Sequence, residues 1–223
     1  MTSPRRSRSQ EAKRQAYRQV VLDCAEELLA AGGIDAARVE DIAAAAGIAP
    51  RTLYSVFASK TQIVAETVER RRVALIEYAA QRAAAGTTAF EMLRLSVRGA
   101  SEFFLQHPNY LKMELFDSRA WADENASTSI TWYHTFEAHT RLFTRAIAEG
   151  EVRPGEPKAF ARALLAIQQS QLAHWVSEGM ARDREAVIAD IESLLVHAFA
   201  AQVPAVHHEI GHGSARHAPP PAR

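Results

Sequence analysis

Residues Val39 to Phe57 read VEDIAAAAGIAPRTLYSVF, and the spacing within this stretch decides how the first third of the chain folds. Ile42, Ala43 and Ala46 fall three and four residues apart, on one face of a short helix over 39–46. Ala43 has to be small where a second helix crosses it. Gly47 supplies the turn between two helices that meet at a steep angle. Ile48, Leu53, Val56 and Phe57 then complete a small core from the second helix, over 50–56. A helix held by that face turns its other face, with Arg51, Thr52 and Ser55, outward. This is the layout of a helix-turn-helix with an exposed recognition helix.

The flanks support it. Upstream, Tyr17, Val21, Cys24, Ala25, Leu28 and Leu29 form one stripe of a helix over 11–31 that stops at Gly32-Gly33. That stripe points Cys24 into a core as a structural thiol. Downstream, Ser59-Lys60-Thr61-Gln62 reads as a capping box that opens a long fourth helix. Arg5, Arg6, Arg8, Lys13, Arg14 and Arg18 crowd the first 18 residues against Glu11 alone. A chain of zero net charge therefore has a basic start, as a polyanion partner or a solvated leader would each require.

The run Ile42-Ala43, Ala46-Gly47-Ile48, Thr52-Leu53-Tyr54, Phe57 and Ser59-Lys60 resembles the signature of the TetR family of bacterial transcription regulators. The likeness is carried by motif over 11–65 and, beyond it, by helix count and loop placement. It implies that Tyr54 and Lys60 contact DNA phosphates, and that Pro50, Arg51, Thr52 and Ser55 meet base edges or backbone. The residues themselves also allow Tyr54 as a core aromatic beside Leu53 and Phe57, and Lys60 and Arg51 as solvated charges. Where family members carry Thr or Ser before the valine that opens the second helix, this chain has Ala37-Arg38. Either Arg38 meets a phosphate, or Asp35 caps a helix that starts earlier.

Beyond the head, alanine is abundant and apolar residues recur at helical spacing, so the fold expected is all-α. The divisions expected are a basic disordered arm over 1–10, a helix-turn-helix domain over 11–65, a helical-bundle ligand-binding and dimerisation domain over 66–203, and a disordered tail over 204–223. Body helices are expected from Thr87 or Thr88 to about 107, over 109–121, 128–149, 157–179 and 184–202, punctuated by Pro108, Gly150 and Pro154-Gly155. The last two carry wide apolar faces. By the resemblance they pair with a second copy, through Leu164, Leu172, Ile191, Leu194, Leu195 and Ala198. The same faces would also serve to close the monomer's own core.

Aromatic residues concentrate in the middle helices. A pocket there is expected to draw on Phe104, Tyr110, Met113, Trp121, Trp132, Phe136, His139, Gln168 and Trp175, with His134 as a further polar group. The resemblance implies a small, largely apolar effector that loosens a repressor from a palindromic operator. The competing reading is an all-helical enzyme or ligand carrier with a helix-turn-helix look-alike. It lacks support from motifs: there is no glycine-rich phosphate loop, no HExxH and no Glu-x-x-His pair in the body. No catalytic residue, cofactor or metal site is expected, and the His207, His208, His212 and His217 cluster is read as part of the tail. A single cysteine, a polar start and no apolar run of about 20 residues point to the cytoplasm rather than to secretion or a membrane.

Overall fold

The computed structural model describes residues 4–116 and 130–201. Every regular element among them is a helix: α1 Pro4–Ala36, α2 Val39–Ala45, α3 Pro50–Val56, α4 Lys60–Ala83, α5 Ala89–Gln106, α6 Pro108–Phe116, α7 Ile130–Ala148, α8 Pro157–Ser177 and α9 Arg184–Phe199. The polar loop expected around 123–127 and the tail from 204 lie outside the described residues.

Local chemistry sets most helix ends. Ser59 Oγ accepts from the Gln62 N–H at 3.2 Å, and the Gln62 side chain reaches back to accept from the Ala58 N–H at 2.6 Å. The reciprocal bond thus lands one residue ahead of the cap. Thr88 caps α5 by accepting from the Glu91 N–H at 3.3 Å, while the Glu91 carboxylate accepts from the Thr87 N–H at 2.8 Å. Pro108 and Pro157 sit at first helical positions, where a missing N–H costs nothing.

Among the described residues, three boundaries differ from expectation by three residues or more. Helix α1 begins at Pro4, so most of the arm expected to be disordered is helical. Residues 33–36 continue past the expected stop, but Gly33, at φ 78°, breaks the helical path there, as the glycine pair implied. Helix α9 ends at Phe199 because the chain then leaves to pair with the α7–α8 loop. Ala200 bridges Val152, and the Ala201 N–H donates to Glu151 O at 2.9 Å.

Two apolar clusters organise the molecule. The first joins α1, α2, α3 and the start of α4 through Val21, Leu29, Ile42, Leu53, Phe57 and Ile63. Met113 of α6 belongs to this cluster and seals the head against the body. The second fills the bundle from α5 to α9, where Phe143, Phe160 and Phe199 meet with centroids 5.0 to 5.6 Å apart. Helix α4 spans both clusters. With 24 residues it runs about 36 Å.

Ion pairs pin α4 on both sides. Glu26 of α1 is buried at 5% exposure and accepts from Arg70 at 3.0 Å and Arg71 at 2.8 Å. Arg72, next in sequence, reaches the other way to Glu114 of α6 at 3.2 Å. Cys24 is half-buried rather than fully enclosed. Burial first, then Glu27 and Asp23, raise its thiol above the usual value, so it stays protonated near neutrality.

Candidate nucleic-acid interface and ligand cavity

The turn between α2 and α3 is closed by its own backbone. The Gly47 N–H donates to Ala44 O and the Ile48 N–H to Ala43 O, both at 3.0 Å, and Gly47 takes φ +65°. A side chain is strained there, so glycine is what lets the two helices turn so sharply. Ala43 is fully buried at the crossing. Ala49 precedes α3 without a side-chain cap, and the first turn is set instead by Pro50 and by Thr52 N–H donating to Ala49 O at 2.8 Å.

Leu53, Val56 and Phe57 are buried beneath α3, which fixes what faces out. Pro50, Arg51 and Ser55 are exposed, Thr52 is half-buried, and the Tyr54 ring is 52% exposed rather than part of the core. Lys60 opens α4, its Nζ 3.5 Å from Asp35 O at the end of α1. Arg38 is the residue before α2 and makes no cap hydrogen bond, and neither does Asp35 cap an earlier start. The Arg38 guanidinium is exposed and 3.8 Å from Glu40.

Arg18 behaves differently from the rest of the basic leader. It donates to Val56 O at 3.0 Å, pairs with Glu66 and lies over the Phe57 ring at 4.5 Å. It is therefore a clamp that locks α1, the end of α3 and α4 together, and it is not available to an external anion. Arg8, Lys13 and Arg14 remain exposed on α1.

In the body a cavity of about 420 Å³ lies among α4, α5, α6, α7 and α8. Of the residues expected there, Phe104, Tyr110, His139 and Gln168 line it, as does His134. Phe136 and Trp175 are buried in the bundle core, the latter donating from Nε1 to Arg182 O at 3.1 Å, and neither lines the cavity. Met113 is committed to the head-side cluster. Trp121 and the Trp132 side chain lie outside the described residues. The wall that sequence reasoning missed is α4, which supplies Arg72, Leu75, Ile76, Ala79, Ala80 and Ala83. Their three- and four-residue spacing is the signal that would have found them.

Polar groups in the cavity are few and mostly engaged. Gln168 donates to Val97 O at 3.2 Å and to Ser101 Oγ at 2.9 Å. Burial, then the Glu114 carboxylate, push the Tyr110 phenol well above its usual range. His139 Nε2 lies 3.3 Å from Ser96 Oγ, and Nδ1 is buried without a hydrogen-bond partner. Burial alone drives this imidazole down to about 4, so it is neutral near pH 7.

The surfaces of α8 and α9 correct the expected interface. Leu164, Leu172, Ile191 and Leu195 are each at most 1% exposed inside the protomer. They are buried in the protomer's own bundle and have no surface left for a partner. Of the expected set, Leu194 is 41% exposed and Ala198 half-buried. The other exposed positions mix small residues, among them Ala163, Ala166 and Ser170 on α8 and Ala186, Ala189 and Ser193 on α9, with larger ones such as Arg162, His174, Asp190 and His197.

A short helix held by its apolar face, its polar face outward beside the start of a long connecting helix, defines a helix-turn-helix DNA-binding regulator. Residues 21–67 match the family model for bacterial regulatory proteins of the tetR family. No curated protein matches the sequence. Solved structures share the fold over most of the chain. The ketosteroid transcriptional regulator KstR2 of Mycobacterium tuberculosis aligns at TM-score 0.71 and 20% identity, over 83% of this chain and 95% of that one. FadR from Bacillus subtilis, in complex with stearoyl-CoA, aligns at 0.69 and 21%, over 80% and 97%. SmeT, the repressor of a Stenotrophomonas maltophilia multidrug efflux pump, aligns in its triclosan complex at 0.66 and 23%, over 85% and 95%. Residues 21–67 are thus a DNA-binding domain of the tetR type, and the chain as a whole shares its fold with these solved regulators. No described helix is long and apolar enough to cross a membrane.

Proposed function

We propose that this regulator is a cytoplasmic repressor that binds a palindromic operator as a homodimer and is released by a small, largely apolar effector in the cavity. The observation that carries the reading is the exposed face of α3. Arg51, Ser55 and the half-exposed Tyr54 ring stand outside a helix whose other side is buried, and Lys60 opens the helix that follows. A major groove accepts such a helix, with Arg51, Thr52 and Ser55 toward base edges and Tyr54, Lys60 and Arg38 toward phosphates. Lys60 in the first turn of α4 adds its charge to free backbone N–H groups that already favour an anion.

Dimerisation through α8 and α9 is supported by the small exposed residues on both helices and by Leu194, which let two helix pairs approach closely. Two-fold pairing then presents two heads to successive grooves. The effector reading is supported by a largely hydrocarbon cavity whose wall includes α4 from Arg72 onward. Arg70 and Arg71 of the same helix grip α1. A ligand that moves the cavity half of α4 thereby changes the placement of the head, and operator affinity with it.

The test is light scattering of the full chain, alone and with an enriched duplex, followed by addition of apolar compounds that raise its melting temperature. A dimer, or a pair of dimers on DNA, that falls off when such a compound is added supports the reading. A monomer on DNA, or a complex indifferent to every stabilising compound, contradicts it.

A further inference from the structure

Helix α1 begins with a basic stretch that the outward face of α3 does not use. Up to residue 18 the sequence holds Arg5, Arg6, Arg8, Lys13, Arg14 and Arg18 against Glu11 alone, and the helix starts at Pro4. The fold consumes Arg18, which is bound to Val56 O, Glu66 and the Phe57 ring. Packing against the head begins at Tyr17, and before it Arg8 and every residue from 10 to 16 are exposed. Lys13 lies over the Tyr17 ring, 5.6 Å from its centroid. Among the described residues Arg8, Lys13 and Arg14 meet no carboxylate, whereas Arg18, Arg70, Arg71 and Arg72 each do.

No face of this segment is apolar. Between 4 and 16 the only hydrocarbon side chains are those of Pro4, Ala12 and Ala16. A helix that is polar all round has nothing to bury on the bundle, and it lacks the amphipathic face that a lipid surface takes. Its excess positive charge fits a polyanion. Which polyanion follows from where the segment is rooted: Arg18 fixes it at Val56, one residue from Ser55 and two from Tyr54 on the outward face of α3. From Arg18 back to Arg8 the helix runs about 15 Å, the length of about four base pairs. A helix about 10–12 Å across is too wide for a minor groove of about 6 Å, and α3 takes the adjoining major groove. The phosphate ridge beside the half-site is what remains.

We propose that the first turns of α1 lie along the phosphate backbone of duplex DNA just outside the half-site read by α3, and bind it through Arg8, Lys13 and Arg14 without regard to sequence. The proposal rests on the reading of α3 as a DNA-binding helix and adds a sequence-blind contact to it.

Anisotropy titration of the full-length protein tests it with the duplex enriched by selection, trimmed to its specified base pairs or extended by about ten mixed-sequence base pairs at each end. The parent is expected to bind the extended duplex at least about tenfold more tightly, with a salt slope steeper by about 2.7 per bound protomer, three contacts at about 0.9 each. Arg8→Gln/Lys13→Gln/Arg14→Gln should bind both duplexes alike and keep the parent's base preferences within the half-site. Arg8→Lys/Arg14→Lys keeps the charge and is expected to keep the parent's response to the added base pairs, so it carries the test if circular dichroism shows the first variant misfolded. A parent indifferent to the added base pairs, a neutral variant that still responds to them, a charge-keeping variant that does not, or a response that changes with the flanking sequence overturns this inference and leaves the α3 reading standing. Folded parent that enriches no duplex overturns both.

Discussion

Arg72 and Glu114 meet at 3.2 Å between α4 and α6, one residue beyond the two arginines that hold Glu26 of α1. Three consecutive side chains of α4 therefore tie the head to the connecting helix and the connecting helix to the cavity wall. The Arg72 and Glu114 side chains are only 17% and 10% exposed, so removing one leaves the other charged and poorly solvated. Glu114→Ala is expected to cost about 3 kcal/mol in urea unfolding. The triple variant Arg72→Met/Glu114→Leu/Tyr110→Phe should fall within about 1 kcal/mol of the parent, because it removes the charges together with the buried Tyr110 hydroxyl that bonds them, and the double variant Arg72→Met/Glu114→Leu should lie between it and the single. A double variant as unstable as the single would show that the pair is not what holds α6.

His139 makes stability depend on acid. Above pH 6.5 the imidazole is neutral in both folded and unfolded chains. As the pH falls from 6.5 toward 4, only the unfolded chain takes up the proton, so stability is lost across that window. The displacement to about 4 corresponds to about 3 kcal/mol. Urea unfolding of the parent and of His139→Phe at both ends of the window measures it. The variant should lose that much less stability than the parent on acidification, and equal losses would place the acid sensitivity elsewhere.

On α3 and α4 the roles divide by chemistry. Lys60→Ala should weaken binding to every duplex and lower the slope of log affinity against log salt by about 0.9 in magnitude, the contribution of one phosphate contact. Tyr54→Phe should cost about 1 kcal/mol across all sequences with the salt slope unchanged. Arg51→Ala should instead relax preference at particular base pairs by about 1–3 kcal/mol. Anisotropy titrations on a panel of single-base variants separate the three, and one shared pattern for all would undo the division.

Leu194→Glu, on the exposed face of α9, should yield a folded monomer by light scattering with its melting temperature as a monomer little changed. Ile191→Ala, on the buried face, should cost about 2–5 kcal/mol of stability while the remaining folded protein still dimerises. The reverse pattern would return the interface to the buried set.

How much was legible in the sequence follows from what each signal reports. Capping residues and proline mark helix starts locally, so Ser59, Thr88 and Pro157 could be read without tertiary context. The Gly47 turn and the small Ala43 were equally legible, because a close helix crossing leaves few other residues possible. Periodicity shows that a face is apolar but not what covers it. Leu164, Leu172, Ile191 and Leu195 were assigned to a partner when the protomer's own bundle covers them. The same ambiguity hid the cavity wall on α4, where Leu75, Ile76 and the alanines line a space that only the assembled bundle encloses. Arg18 was counted with the basic leader because its use as a clamp depends on Val56 and Glu66, about 40 and 50 residues further on.

The central claim is that the exposed face of α3 selects a DNA sequence. Selection of random duplex DNA on the purified full chain, with sequencing of the enriched pool, tests it most directly and needs no prior operator. The account predicts enrichment of a palindrome whose half-sites lie about one helical turn or a multiple of it apart. Folded protein that enriches no sequence at low salt would contradict it.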